Sequence, residues 1–211
     1  MRSKSKIELE LKVRNETPLL ISTGSAQQGF ADFTFIRLVN NRPCIPASTF
    51  KGRWRYYFSY LWNAFFPEEK CCHYLGRDGE CHCPACRIFG GKGFQPSRVR
   101  LTDLVVADSY DSVIRHQVAI NRYLRTSQDK ALASLEAVDR DADWCGAAEI
   151  ILTETEMKRE LACLLAALKM MRTLGSNKSR GMGWVKIDFR LRPAIELEEL
   201  WQYLKSDGDS Q

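Results

Sequence analysis

The sequence predicts an α+β fold of the ferredoxin-like type, a βαββαβ core with both helices on one face of a four-stranded sheet. Three observations predict it. Near the N-terminus Ile7, Leu9, Leu11 and Val13 alternate with Glu8, Glu10, Lys12 and Arg14. Near the C-terminus Val185, Ile187, Phe189 and Leu191 alternate with Lys186, Asp188, Arg190 and Arg192. A period of two marks a strand with one buried and one wet face, so both ends enter one half-exposed, antiparallel sheet. Between them, two stretches carry the helical period. Stripped of insertions, the order is strand, helix, strand, strand, helix, strand, which leaves one sheet face open for a ligand or partner.

The elements follow in order. After the first strand, residues 20–43 carry turn formers (Ser22, Thr23, Gly24, Ser25, Gly29, Asn40, Asn41) and predict a long loop with a short strand around Phe33 to Val39. Pro46 then opens a helix, with Ser48 or Thr49 as N-cap. Phe50, Trp54, Tyr57, Phe58, Leu61 and Trp62 form its apolar stripe, while Lys51, Arg53 and Arg55 lie off it. The helix stops before Pro67. Residues 67–97 read as an insertion rich in Cys, His and Gly. A strand is expected near Val99 to Val106, then an arm over 108–145 with an extended hairpin around Val113 to Tyr123, then a strand at Glu149 to Thr153. Met157 to Thr173 predicts a helix with Leu161, Leu164, Leu165, Leu168 and Met171 on one face. A glycine loop from Gly175 to Gly183 leads into the last strand, and residues 195–205 predict a short terminal helix.

The chain has 211 residues, with 31 Lys and Arg against 26 Asp and Glu, a net charge of +5. That length suits a single domain, 1–211, with insertions. With 45% hydrophobic and 27% charged residues, the composition excludes a disordered tail, a coiled coil and a collagen-like rod. No apolar run reaches the roughly 18–20 residues of a membrane span, and no signal-peptide pattern opens the chain. The expectation is a cytoplasmic protein that needs no membrane.

Five of the eight cysteines, Cys71, Cys72, Cys81, Cys83 and Cys86, crowd the insertion, together with His73 and His82. Disulfides do not suit a reducing compartment, whereas Cys83-x2-Cys86 is a zinc-knuckle spacing. Cys81 supplies a third ligand. Spacing alone does not rank Cys71, Cys72 and His73 for the fourth; Cys72 is preferred. An all-protein ligand set leaves no place for water, which makes this a structural Zn2+ site that folds a segment poor in apolar residues.

The cations are also clustered. Lys51, Arg53 and Arg55 lie near a helix N-terminus, a natural phosphate site. Gly175, Gly181 and Gly183 with Lys178 and Arg180 form a loop of the kind that cradles phosphates, although no Walker pattern is present. In the arm, Arg115, Arg122 and Arg125 interleave with Val118, Ile120, Tyr123 and Leu124, a mixture that suits single-stranded nucleic acid. Each cluster also has a bland reading: a solvated helix face, a connector, a half-buried hairpin.

Taken together and in this order, the segments CIPASTFKGRWR (44–55), CPACRIFG (83–90), VRLTDLVVAD (99–108), the arm from Ile120-Asn121-Arg122 to LASLEAV (132–138), and LGSNKSRGMGWV (174–185) resemble the RAMP superfamily, specifically the backbone subunits of type III CRISPR RNA-guided effector complexes. The resemblance implies a modified RNA-recognition-type core with a projecting thumb hairpin. It implies partners: a guide CRISPR RNA, a complementary target RNA, other RAMP subunits and the large subunit of the complex. Guide contacts would come from Ser48, Lys51, Arg53 and Arg55, from Ser176, Asn177, Lys178 and Arg180, and from Arg122 and Arg125 of the thumb, which would flip one nucleotide at each step. Asp32, thirteen residues before Ile45, occupies the position of the loop aspartate that cuts target RNA with Mg2+ or another divalent ion. The family more often has an acidic residue after the arginine of that loop; here Leu38 follows Arg37. No histidine is placed by the sequence to assist, since His73 and His82 belong to the insertion and His116 to the arm. A non-cleaving scaffold and a nuclease that processes repeat RNA are the competing expectations.

Overall fold

A computed structural model describes residues 4–22, 31–72, 81–91, 96–153 and 157–205. The first strand, β1 (Lys4–Asn15), is central. It pairs antiparallel with β7 (Asp143–Thr153) on one side and with β8 (Val185–Arg192) on the other. Beyond β7 lie two three-residue strands, β3 (Val99–Leu101) and β4 (Leu104–Val106), and β4 pairs with the short β2 (Cys44–Ile45). All of these pairs are antiparallel. The alternation read from β1 is physical: Ile7, Leu9, Leu11 and Val13 are buried, and Glu8, Glu10, Lys12 and Arg14 are exposed.

Helix α1 (Ala47–Phe65) buries Phe50, Trp54, Phe58 and Trp62, while Tyr57 and Leu61 are only partly covered. It packs on α3 (Met157–Met170), and the Trp54 indole N–H donates to the Leu164 carbonyl at 2.8 Å. Helix α3 is buried beyond one stripe, since Ala162, Cys163 and Ala167 are covered as well as its leucines. A terminal helix, α4 (Leu197–Lys205), packs against α3. These elements share one apolar core with the inner face of the sheet. The outer face is wet and charge-alternating, with Lys12–Asp143 at 2.9 Å, Lys6–Glu8 at 3.1 Å and Arg192–Glu10 at 2.6 Å. Among the described residues no helix is long and apolar enough to cross a membrane.

Several expectations change. Neither Ser48 nor Thr49 caps α1. The helix begins earlier, with Pro46 at the cap position and no side-chain cap bond of its own. The carboxylate of Asp103 accepts the Ala47 N–H at 2.7 Å instead, so an acid from another segment occupies the positive pole of the helix. The strand expected over 99–106 is broken at Thr102 and Asp103. Thr102 Oγ1 there accepts the Ala147 N–H at 2.9 Å, and Asp103 turns away to reach α1. The strand expected around Phe33 to Val39 is reduced to isolated bridges, Phe33 to Leu135 and Arg37 to Pro43. Strand β7 begins six residues before Glu149, inside the stretch assigned to the arm. The small residues Gly146, Ala147 and Ala148 hide its period.

The arm is a two-stranded antiparallel hairpin, β5 (Ser112–Asn121) and β6 (Thr126–Val138). Its base packs into the body: Leu135, Ala137 and Val138 are buried, and Leu19 and Val138 exchange backbone hydrogen bonds at 2.8 and 3.0 Å. The insertion is not wholly irregular. Its end forms a short helix, α2 (Pro84–Phe89), with every residue but Arg87 buried. Of the cysteines outside the insertion, which the sequence suggests are ordinary packed thiols, Cys44 and Cys163 are buried, but Cys145 is exposed on the outer sheet face.

Candidate nucleic-acid interface and metal centre

The metal centre assembles around the N-terminus of α2. Pro84 holds the backbone for the first helical turn, which sets Cys83 and Cys86 side by side. The sulfurs of Cys72, Cys81, Cys83 and Cys86 all lie within 4.8 Å of one another. Cys72 and Cys86 are 3.5 Å apart, and Cys72 and Cys83 are 3.6 Å apart. Four thiolates at about 2.3 Å from a tetrahedral zinc ion would be roughly 3.8 Å apart, so the donor set and its spacing could hold such an ion. Of the three candidates for the fourth ligand, Cys72 faces the cluster. Cys71 is buried beside it and bonds to Cys83; that bond and burial push its thiol up, while the same bond pulls Cys83 down to about 3. His73 lies outside the described residues. Burial pushes Cys86 up to about 12, and a bound metal would take it as the thiolate.

The cations of α1 divide. Helical spacing sets Lys51 and Arg55 on one side and Arg53 on the other. Arg55 donates to the Gly90 carbonyl at 2.6 Å and to Cys86 Sγ at 3.1 Å, so it serves the cysteine cluster. Lys51 donates to Ser97 Oγ at 2.6 Å. Arg53 turns toward the glycine loop. It donates to Thr173 Oγ1 at 3.1 Å and to the Tyr57 hydroxyl at 3.2 Å, and it lies 5.1 Å from the Tyr56 ring centroid. Ser48 is exposed on the first turn of α1.

There the helix and the glycine loop meet. A cavity of about 390 Å³ is lined by Thr49, Gly52, Arg53 and Tyr56 of α1, by Leu174, Gly175, Ser176 and Lys178 of the loop, and by Ile21 and Ser22. Gly52 is exposed along its wall, and a side chain there would meet nothing within 4 Å. Gly175 has φ +76°, and a Cβ would strike the Leu20 carbonyl at 2.3 Å, so only glycine lets the loop run this close to residues 20 and 21. Asn177 takes the left-handed conformation at φ 56° and starts a single 3₁₀ turn over Lys178–Arg180. Burial, then the charge of Arg53, lower the pKa of Lys178. Neither cation has an acidic partner among the described residues, so the cavity presents unneutralised positive charge to an anion. Arg180 instead donates to Gln117 of β5, tying the loop to the hairpin. Arg122 and Arg125 sit at the exposed hairpin turn, far along the chain from its buried base.

Asp32 is exposed at the foot of the hairpin. One carboxylate oxygen accepts the Ser134 N–H at 2.7 Å, and the Asp32 N–H donates to the Ser134 carbonyl at 2.9 Å. Ser134 Oγ is 3.0 Å from His116 Nδ1. Local composition carries no sign of this juxtaposition, because it depends on the strand register that places His116 opposite Ser134. The missing acid after Arg37 has a spatial counterpart: Glu136, two residues beyond Ser134, pairs with Arg37 at 2.7 Å. Among the described residues the four cysteines are the one group of three or more such ligands, so Asp32 belongs to no ligand group of that size.

A family model for the RAMP superfamily matches residues 12–186. That span includes the cavity, the cysteine cluster, Asp32 and the hairpin. No curated protein matches the chain. The chain belongs to the RAMP superfamily.

Proposed function

We propose that this protein is a backbone subunit of a type III CRISPR effector complex that binds guide RNA and cuts complementary target RNA at Asp32. The superfamily is one of CRISPR-associated RNA-binding subunits, and the strand order β8-β1-β7-β3/β4 with α1 and α3 as the connecting helices supports a ferredoxin-like core. The observation that carries the reading is the cavity between α1 and the glycine loop. Two cations without an acidic partner among the described residues, a helix side and a backbone turned by glycine converge there, and a nucleic-acid phosphate is the anion they suit. Binding of this kind reads the backbone, while pairing to the guide reads the sequence. The four cysteines hold Zn2+ as a structural ion.

The chemistry assigned to Asp32 is transfer of the ribose 2′-hydroxyl proton as that oxygen attacks the adjacent phosphorus. The Ser134 amide holds one carboxylate oxygen and so fixes the other toward solvent. In-line geometry would come from a nucleotide turned out of the duplex by the hairpin. Asp32 is a single carboxylate, and a divalent ion that completes its shell with RNA phosphates and water would fit it; when bound it would stabilise charge at the phosphate.

Asp32→Ala in an assembled complex tests the reading. One set of target cuts vanishes while guide and target binding persist. Unchanged cutting at every position would leave the chain a scaffold, and cutting of hairpin repeat RNA by the free subunit would make it a processing nuclease.

A further inference from the structure

We propose that His116 is the general acid of the same cutting reaction, a role that rests on the reading of Asp32 given above. Three observations carry it. The strand register sets His116 directly across from Ser134, on the same face of the hairpin. Ser134 links both groups, since its backbone N–H holds Asp32 at 2.7 Å and its hydroxyl meets His116 Nδ1 at 3.0 Å. The imidazole is exposed, and its Nε2 has no hydrogen-bond partner among the described residues.

The serine therefore acts as a hinge pin between two proton-handling groups that the chain places 84 positions apart. In the imidazolium ion Nδ1–H donates to the Ser134 hydroxyl and Nε2–H faces solvent, and this protonated form is the one that can act as an acid. The neighbourhood suits RNA. Ile114 and Val118 flank His116 along β5 and are half exposed, so an apolar surface borders the polar pair. The charged groups around it are Asp32 at the strand edge and Glu136 on β6. Glu136 is already matched by Arg37, and Arg180 contacts Gln117 on the opposite face.

The step balances without an added reagent. The 2′-oxygen bonds to phosphorus and its proton passes to Asp32. The bond from phosphorus to the 5′-oxygen breaks, and that oxygen takes the proton from His116 Nε2. The products are a 2′,3′-cyclic phosphate and a 5′-hydroxyl.

A leaving-group substitution separates this role from a structural one. The assembled complex carrying His116→Ala is compared with the unaltered complex on target RNA, and on the same RNA with sulfur replacing the 5′-oxygen at the mapped cut. A thiolate leaves without a proton. Single-turnover cutting of ordinary RNA falls about 100-fold or more with target affinity unchanged, and the sulfur substrate brings variant and unaltered complex to equal rates. Equal rates on ordinary RNA would overturn the proposal. So would an equal loss on both substrates, which marks a residue that only shapes the hairpin. Asp32→Ala is run beside it. If that variant stops cutting while His116→Ala does not, only the histidine is lost; if Asp32→Ala cuts normally, or the unaltered complex does not cut at all, the reading of the site falls with it.

Discussion

The cysteine insertion and the hairpin are both additions to one sheet, yet they are held in opposite ways. The described end of the insertion is buried in the protein. Phe89 meets Trp54 and Phe58 of α1 at centroid distances of 5.7 and 5.6 Å, and Arg87 pairs with the buried Glu160 of α3 at 2.8 Å. The hairpin buries its base and exposes its tip, where Tyr123 is 98% and Leu124 71% accessible. Apolar groups spent inward stabilise the chain itself. Apolar groups left outward at the end of a two-stranded ribbon do nothing for it and mark a contact with something else.

Three experiments press on that contrast. Metal removal should act most strongly. The purified protein should carry about one equivalent of zinc, and stripping it, or Cys83→Ser, should lower Tm by roughly 10 °C or more, since each kcal/mol moves a chain of this size about 2–4 °C. A zinc content below about half an equivalent would mean that the insertion is held by packing alone. Phe89→Ala comes next, with a loss of about 3–5 kcal/mol in denaturant unfolding, because a buried ring is removed from a packed aromatic cluster. The double change Tyr123→Ser and Leu124→Ser should alter stability by no more than about 0.5 kcal/mol while target cutting in the complex fails. A stability loss approaching that of Phe89→Ala would show that the tip packs on the protein and would erase the contrast.

What could be read in the sequence follows the same division. β1, β8, α1, α3 and α4 are legible because each is a long regular element packed on the core, and burial imprints a period. Phe50, Trp54, Phe58 and Trp62 are the clearest instance. The start of β7 was not legible, because Gly146 must be small: a Cβ there would come within 2.9 Å of Leu104. The N-cap differs from the local expectation because Asp103, a residue far along the chain, does the work that Ser48 could do locally. At the site, the cysteine cluster was legible as a spacing, and the ranking of Cys72 above Cys71 needed geometry. Arg53 and Lys178 were legible as charges, but only the fold turns Arg53 into the cavity and sends Arg55 to the cysteines. His116 reads from the sequence only as an arm residue, because strand register is not written in local composition.

Gly52 lies in the second turn of the longest helix, where alanine would encounter no neighbour and would raise helix stability by about 1 kcal/mol. The helix is thus weaker at the one position where its contribution to the cavity lining has no side chain. Selection for heat resistance alone would be drawn to this position early, and each such improvement would narrow the space beside Arg53 and Lys178. In this fold a more robust scaffold and a more receptive one are not the same target, and a stability screen without an RNA-binding readout would steer toward the wrong one.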